Sequence, residues 1–438
     1  MLENFKNQEE ILSKLEITAL NPMQEAAYKA ISSNSEIILL SPTGTGKTLA
    51  FLLPIIEALN PTIKNIQTLI LVPSRELAIQ IEQVIREMGS GYKTNAVYGG
   101  RSGSKDKVEI KHPPAILIGT PGRIADHLDR EVFEISAIKT LVLDEFDKSL
   151  EIGFEEDMKF IIETLNKVSK KILTSATQKV KIPSFVGLKS PKKLSYLGEK
   201  TQNLKLQTVI SPTQDKLTSL EKLIYTIGDG SGIIFCNLKD SIKNVSDFLY
   251  EKNITHGCFS GNLEQQDREH ALIKFRNGTH KILIATDLAA RGIDIPELNF
   301  IIHYELPSRP DEFIHRNGRT ARMHSNGTAY ILKYKNEELP VFIKNATEIS
   351  IDGNSKKLKA NTWKTLHISG GRKDKISKGD IAGLFFKQGN IKKETLGIIE
   401  LKQDCAYVAV SSKNLNALVN NLNNSRIKKK KVRISILK

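Results

Sequence analysis

The sequence predicts an α/β chain with two tandem units, each on a parallel sheet, followed by a small α+β segment. Three observations carry that reading. Short, near-continuous apolar runs alternate with amphipathic stretches from Glu36 to about Leu194, and the pattern repeats within residues 204–350. Strands that are apolar on both faces belong to a parallel sheet covered on both sides. Polar Gly198-Glu199-Lys200-Thr201-Gln202 separates the two series. Beyond Trp363 the charge changes: residues 361–438 hold 17 Lys/Arg against 5 Asp/Glu, which is +12 of the chain's +15. The expected domains are therefore 1–198, 204–350 and 363–438.

In the first unit the run Glu36–Leu40 reads as a buried strand. It leads into Ser41-Pro42-Thr43-Gly44-Thr45-Gly46-Lys47-Thr48 and then an apolar helix from Leu49. Strand, glycine turn, Gly-Lys-Thr and helix form the context of a phosphate-binding loop. Gly44 and Gly46 let backbone N–H groups converge on one anion, and the helix adds its positive end. Lys47 would reach the β- and γ-phosphates, and Thr48 would bind Mg²⁺. Ser41 stands where the strict pattern has its first glycine.

Further strands are expected at Thr68–Val72, Ala115–Ile118, Thr140–Leu143 and Lys171–Leu173. Ligands on such sheets bind at the C-terminal strand ends. Asp144 and Glu145 follow one of those ends, where Asp144 suits Mg²⁺ and Glu145 suits positioning the attacking water. Alone, such a pair also serves as a helix cap. Ser74 and Thr120 head helices that each carry an arginine, Arg75 and Arg123, and two anion cradles beside a nucleotide loop suggest a nucleic-acid backbone.

The second unit is expected to hold strands Gly232–Cys236, Lys281–Ala285 and Phe300–His303. Its run His315–Arg322, if helical, places His315, Arg319 and Arg322 on one stripe. That stripe is either a solvated face or a set of arginine fingers for a γ-phosphate. The third segment reads strand Thr365–Ser369, helix Lys378–Lys387, strands Gly397–Leu401 and Ala406–Val410, helix Asn414–Asn423 and strand Lys431–Leu437. That β-α-β-β-α-β order is used by RNA-recognition sheets. A basic module behind a nearly neutral body suits a polyanion. Tyr407 either stacks a base or packs in the core.

Composition narrows the class further. No apolar run is long enough to span a bilayer, and Met1-Leu2-Glu3-Asn4 is not a secretion pattern. Cys236, Cys258 and Cys405 lack metal-ligand spacing and fit packed thiols in a reducing cytoplasm. Nothing marks a dimer interface, so a monomer is expected.

Taken in order, ten runs resemble the DEAD-box ATP-dependent RNA helicases over roughly residues 5 to 335. They are Pro22-Met23-Gln24, Ser41–Thr48, Pro73–Ala78, Gly99-Gly100, Thr120–Arg123, Asp144–Asp147, Ser175–Thr177, Gln265–Arg268, Ala285–Asp294 and His315–Arg322. The resemblance implies two RecA-like domains that hydrolyse ATP with Mg²⁺ when RNA binds, and that unwind RNA duplexes locally. It implies that Gln24 reads adenine, that Ser41, Thr43, Gly44, Thr45, Gly46, Lys47 and Thr48 hold the phosphates, and that Asp294 meets the ribose. Lys47, Asp144 and Glu145 would be catalytic, with Arg319 and Arg322 as fingers. Ser175, Thr177, Asp147 and His315 would couple hydrolysis to closure. Arg75, Gly99, Gly100, Thr120, Arg123, Thr286 and Gly292 would line an RNA path that reads phosphate and 2′-hydroxyl.

Three features depart from the family. Phe146 stands where Ala is usual, and it is expected to pack without abolishing hydrolysis. Phe5 lies too close to Gln24 to match the family's adenine-stacking aromatic. Of the usual prolines only Pro22 remains. The run His367–Ile381 is similar to the start of the RNA-binding domain of the DbpA subgroup. That implies an RRM-like fold, contacts from Arg372, Lys373 and Tyr407, and a target in 23S-type ribosomal RNA during large-subunit assembly. A second reading is an ATP-gated RNA-binding scaffold with little turnover, for which Phe146 is the one sequence support.

Overall fold

The structure is a computed structural model that describes residues 6–100, 103–177, 181–197, 204–261, 263–287, 295, 298–320, 327–351, 361–411 and 413–437. The chain divides near residue 202 into two compact units.

In the first unit, helices α1 (Gln8–Lys14) and α2 (Pro22–Ser33) precede a seven-stranded parallel sheet. Its strands are β1 (Glu36–Leu40), β2 (Thr68–Leu71), β3 (Thr94–Val97), β4 (Ile116–Gly119), β5 (Thr140–Leu143), β6 (Lys170–Ser175) and β7 (Lys192–Ser195), in the order β3-β4-β2-β5-β6-β1-β7. Helices α3 (Lys47–Ala58), α4 (Arg75–Met88), α5 (Gly103–Ile110), α6 (Pro121–Asp129), α7 (Phe146–Glu151) and α8 (Glu155–Thr164) cover it. Alternate strand residues feed two cores. Ile37, Leu39, Ile70, Val142 and Ile172 enter one, while Ile38, Leu40, Leu69, Leu71, Leu143 and Leu173 enter the other. Truncating any of these leucines or isoleucines to alanine should cost about 2–5 kcal/mol. Register brings Leu40 opposite Ser175 and Leu71 opposite Leu143 and Gly119. The turns after β1, β2, β4, β5 and β6 therefore share one rim of the sheet.

The second unit begins with another seven-stranded parallel sheet. Its strands are β8 (Leu204–Ser211), β9 (Gly232–Phe235), β10 (His256–Phe259), β11 (Ile282–Ala285), β12 (Phe300–His303), β13 (Gly327–Tyr334) and β14 (Thr347–Glu348). Their order, β10-β11-β9-β12-β13-β8-β14, matches the first sheet position for position. Its helices are α9 (Leu217–Ile227), α10 (Lys239–Glu251), α11 (Gln265–Arg276) and α12 (Pro310–Asn317). The helix expected to run on to Arg322 ends at Asn317. Gly318 is a poor helix former. Beyond it the chain is tied sideways by Leu298 N donating to Arg319 O and Thr320 Oγ1 donating to Leu298 O. His315 and Arg319 therefore do not form a helical stripe, and Arg322 lies outside the described residues.

The C-terminal module is a four-stranded antiparallel sheet, order β16-β17-β15-β20. Its elements run β15 (Trp363–Ile368), α13 (Lys378–Lys387), β16 (Leu396–Leu401), β17 (Ala406–Ser411) and α14 (Leu415–Leu422), then β18 (Arg426–Ile427), β19 (Lys430–Lys431) and β20 (Ile434–Ile436). The expected last strand, Lys431–Leu437, is split. Lys428 takes φ +53° in a tight turn, so Lys430 and Lys431 pair with Ile427 and Arg426. Only Ile434–Ile436 join the main sheet, against β15.

This module is docked on α11 and the turn that follows it. Arg276 donates to both oxygens of Glu400, Nε at 2.7 Å and Nη2 at 2.9 Å. Asn277 Nδ2 donates to buried Thr365 at 3.2 Å, and the Thr279 and Thr365 hydroxyls lie 2.8 Å apart. His270 and the Tyr407 hydroxyl share a hydrogen bond at 3.1 Å. Tyr407 is 6% exposed. Of its two expected roles, packing holds in this arrangement, because the sheet face carrying Tyr407 is covered by α11. Among the described residues, no helix is long and apolar enough to cross a membrane.

Candidate nucleotide and RNA sites

The turn between β1 and α3 curls as its glycines require, with φ +83° at Gly44 and +86° at Gly46. A Cβ on Gly46 would lie 2.4 Å from Gln24 Nε2. Gln24 sits there because Asn21 and Gln24 cap α2 reciprocally. Their side-chain amides then donate to the loop, Asn21 Nδ2 to Thr45 O at 3.1 Å and Gln24 Nε2 to Gly46 O at 3.3 Å. Within the loop the Ser41 and Thr45 hydroxyls are 2.7 Å apart, and Lys47 donates to the carbonyls of Ser41 and Pro42. Ser41, in the first-glycine position, thus takes a buried structural role. Thr43 and Thr48 are half-buried beside it.

Asp144 and Glu145 stand one strand beyond β6, on the same rim. Asp144 is 3% exposed and accepts a hydrogen bond from Thr174 Oγ1. Burial pushes its carboxyl above the ordinary carboxylate range, while the Thr174 hydroxyl and the Lys47 ammonium pull it back. Glu145 takes φ +47° at the head of α7, and its N–H donates to the same Thr174 oxygen at 3.2 Å. Phe146 is 2% exposed in the core beneath, leaving both acids on the rim. Thr177 Oγ1 donates to Asp147 at 2.9 Å, and Thr177 N donates to Ser175 Oγ at 2.9 Å. Ser175, Thr177 and Asp147 therefore form one chain of hydrogen bonds. Thr174 was not singled out in the sequence, although it is a buried hydroxyl directly after the apolar pair Ile172-Leu173.

Farther along the rim, Ser74 caps α4 by accepting from Leu77 N at 3.2 Å. Thr120 occupies the cap position of α6 without a side-chain cap bond, and Pro121 opens that helix. The Arg75 guanidinium lies against the Gly99-Gly100 turn. A Cβ at Gly100, where φ is +81°, would meet its Nη1 at 2.4 Å. Arg123 Nε donates at 2.8 Å to Asp106, which is wholly buried on α5 and also lies 3.1 Å from His127 Nε2. Charge at Asp106 thus holds Arg123 in place, a role that spacing alone did not reveal.

In the second unit Thr286 follows β11 directly, and His315 and Arg319 are buried. Gly292, Asp294 and Arg322 lie outside the described residues, as does Phe5. The organising cation is Arg316, which the stripe argument passed over. It is 1% exposed and donates to Asp287, to Glu305 O at 2.7 Å and to Asn237 Oδ1 at 2.7 Å. Its guanidinium also lies 5.1 Å from the Phe235 ring centroid.

Comparison with known proteins agrees with this geometry. Residues 21–184 match the DEAD/DEAH box helicase family, 215–324 the helicase conserved C-terminal domain and 365–436 the DbpA RNA binding domain. The ATP-dependent RNA helicase DbpA of Escherichia coli (strain K12) is 30% identical over 440 residues, covering 98% of this chain and 96% of that protein. The chain belongs to the DEAD-box ATP-dependent RNA helicases. The DbpA helicase of Bacillus subtilis (strain 168) is 29% identical, covering 99% of this chain and 98% of that protein. Among solved structures, S. cerevisiae Dbp5 bound to RNA and ADP BeF3 aligns with TM-score 0.67 and 27% identity over 76% of this chain and 90% of that one. Mss116p bound to ssRNA and AMP-PNP aligns with TM-score 0.68 and 27% identity over 77% of this chain and 74% of that one.

The helicase is thus an RNA-dependent ATPase that binds ATP and RNA. On its tail, Arg372 is half-buried and Lys373 is exposed and paired with Asp404. Lys428 pairs with Asp380 at 2.8 Å and Lys430 with Asp374 at 3.3 Å. Arg426, Lys429, Lys431 and Arg433 add exposed positive charge. The module's exposed positive charge therefore lies away from the sheet face that α11 covers.

Proposed function

We propose that this helicase remodels 23S-type ribosomal RNA while the large ribosomal subunit assembles, as a cytoplasmic monomer. The carrying observation is the DbpA-type RNA-binding module, folded and basic, behind a DEAD-box core. Arg372 and Lys373 would contact the target; Tyr407 would do so only if the module lifts from α11.

In the core, Lys47 would exchange its own loop's carbonyls for phosphate oxygens, and Gln24, held over the loop, would read the adenine edge. Thr48 and Asp144 are oxygen donors of the kind Mg²⁺ prefers, and a cation would compensate the buried Asp144 carboxylate. Bound Mg²⁺ neutralises phosphate charge. Glu145 would orient the attacking water. Arg319, with Arg322, would stabilise charge on the transferred group, and Ser175, Thr177, Asp147 and His315 would pass the nucleotide state to closure. Arg75, Gly99, Gly100, Thr120, Arg123, Thr286 and Gly292 would carry one RNA strand, and closure would bend it away from its complement.

Steady-state ATP hydrolysis tests this, with no RNA, generic RNA, or a ribosomal fragment carrying the peptidyl-transferase hairpin. The intact chain is compared with one ending at Asn361 and with an Arg372→Ala/Lys373→Ala variant. The ribosomal fragment should stimulate at much lower concentration than generic RNA, and only with the unaltered tail. Equal stimulation by both RNAs would sink the ribosomal assignment.

A further inference from the structure

The two seven-stranded sheets have the same strand order, so each position in the first has a counterpart in the second. β8 is the counterpart of β1, and the sequences leaving them are alike: Leu40-Ser41-Pro42-Thr43 and Ile210-Ser211-Pro212-Thr213. Both turns bury their serine at 0% exposure and end in a lysine that is 8% exposed, Lys47 and Lys216. Both then start a helix, α3 and α9. The correspondence extends to the acids. β5 is followed by Asp144-Glu145, and its counterpart β12 is followed by Tyr304-Glu305.

At this position the second unit has a cleft of about 1010 Å³. Its walls come from the turns after β8, β9, β12 and β13, the counterparts of the strands that build the ATP rim. The volume is at the upper end of small-molecule sites. Its chemistry, however, is not that of a phosphate site. Gln214-Asp215 replace the glycines, so no nest of N–H groups forms. Lys216 Nζ donates to Leu332 O at 3.2 Å, lies 3.6 Å from Glu337 and 5.3 Å above the Tyr304 ring. The Glu305 carboxylate accepts from Asn237 N and from Ser241 Oγ at 2.7 Å. The cleft's charges are answered internally, and a phosphate would face two carboxylates.

What the walls offer instead is neutral: the amides of Gln214, Asn244 and Asn336 and the rings of Tyr304 and Tyr334. An amide presents a donor beside an acceptor, which matches the edge of a nucleobase, and a tyrosine ring gives it a stacking surface. We propose that the second unit binds an unphosphorylated nucleobase in this cleft. The base comes either from a free nucleoside or from an RNA strand. Occupancy would be felt by the ATPase, because Arg316 fastens two wall residues, Asn237 and Glu305, to Asp287 beside Thr286. That coupling rests on the roles proposed above for the neighbouring motif; the binding does not.

The test uses the full chain with its first site saturated by ADP and Mg²⁺. Adenosine, uridine, ribose 5-phosphate and inorganic phosphate are compared by saturation-transfer NMR and calorimetry. A second arm irradiates 4-thiouridine-substituted RNA bound with a non-hydrolysable ATP analogue and maps the crosslinked peptides. Nucleosides should bind, and Asn244→Ala/Asn336→Ala, both exposed positions, should weaken them at least tenfold with an unchanged thermal midpoint. That result supports a free ligand. Crosslinks to the peptides of Tyr304 or Tyr334 without nucleoside binding support an RNA base. Ribose 5-phosphate or phosphate binding as well as a nucleoside overturns the base assignment. No binding and no crosslink overturns the site.

Discussion

Thr174 acts on Asp144, the proposed Mg²⁺ ligand, through one hydroxyl shared between the Asp144 carboxylate and the Glu145 N–H. Losing a partner of a buried polar group costs about 1–3 kcal/mol. Thr174→Val is isosteric and removes only that hydroxyl, so RNA-stimulated turnover should fall roughly tenfold or more, with ADP affinity little changed. The pH profile separates this from a packing defect. The hydroxyl lowers the Asp144 pKa against a burial effect that raises it. Its loss should move the acid limb of the rate profile to higher pH. Asp106 acts in the same way on Arg123. Asp106→Asn keeps the shape but removes the charge that holds the guanidinium. The RNA concentration for half-maximal ATPase should rise several-fold, on the order of 1 kcal/mol, while the rate at saturating RNA stays near its original value.

Helix α11 ties the second sheet unit to the tail module. Gln265 and Arg268, from one of the runs that resemble the family, stand in its first turn, and Arg276 at its last residue grips Glu400 of the tail module. Both partners of that pair are mostly buried, at 21% and 10% side-chain exposure. Glu400→Arg should therefore loosen the module by about 2 kcal/mol, and adding Arg276→Glu should restore much of it. Hydrogen exchange of β15 and β17 reads the effect; exchange that is equal in single and double variants would show that the pair does not hold the dock. At this scale the sequence was most readable where physics is local. The apolar strands β1, β2, β5, β9 and β12 announced themselves, and so did the glycine loop. Strands β3 and β10 carry polar or glycine residues, Thr94-Asn95 and His256-Gly257, and their burial comes from neighbours distant in sequence. The packing of Tyr407 and the role of Arg316 were illegible for the same reason, since their partners His270 and Asp287 lie far away along the chain. The break of α12 at Gly318 needed only the low helix propensity of glycine, set against an overly long stripe.

Acid should act unequally on the two units. His256, His270, His280, His303 and His367 all have pKa values lowered by burial, and all lie in the second unit. The largest effects are at His303, lowered to about 3 between Phe235 and Phe313, and at His280, lowered to about 4. A histidine whose folded pKa is depressed is neutral in both states above about pH 6.5 and contributes nothing to pH dependence there. As pH falls below 6.5 the unfolded chain takes up a proton that the folded one refuses, so stability drops until the folded pKa is reached. For His303 and His280 the loss at pH 5 is about 2 kcal/mol each. Against a domain stability of about 5–15 kcal/mol, the pair removes a large share of the margin that holds the second unit folded. Urea unfolding followed by Trp363, the chain's one tryptophan, should shift to lower denaturant between pH 7 and pH 5. His303→Gln keeps an amide donor at the place of Nε2, which faces Asn317 Oδ1, while removing the titrating ring, so it should lower stability at pH 7 by lost packing yet remove about 2 kcal/mol of the loss toward pH 5. A slope unchanged by that substitution would mean that the acid sensitivity arises elsewhere, and His280→Asn would then be the variant to flatten it.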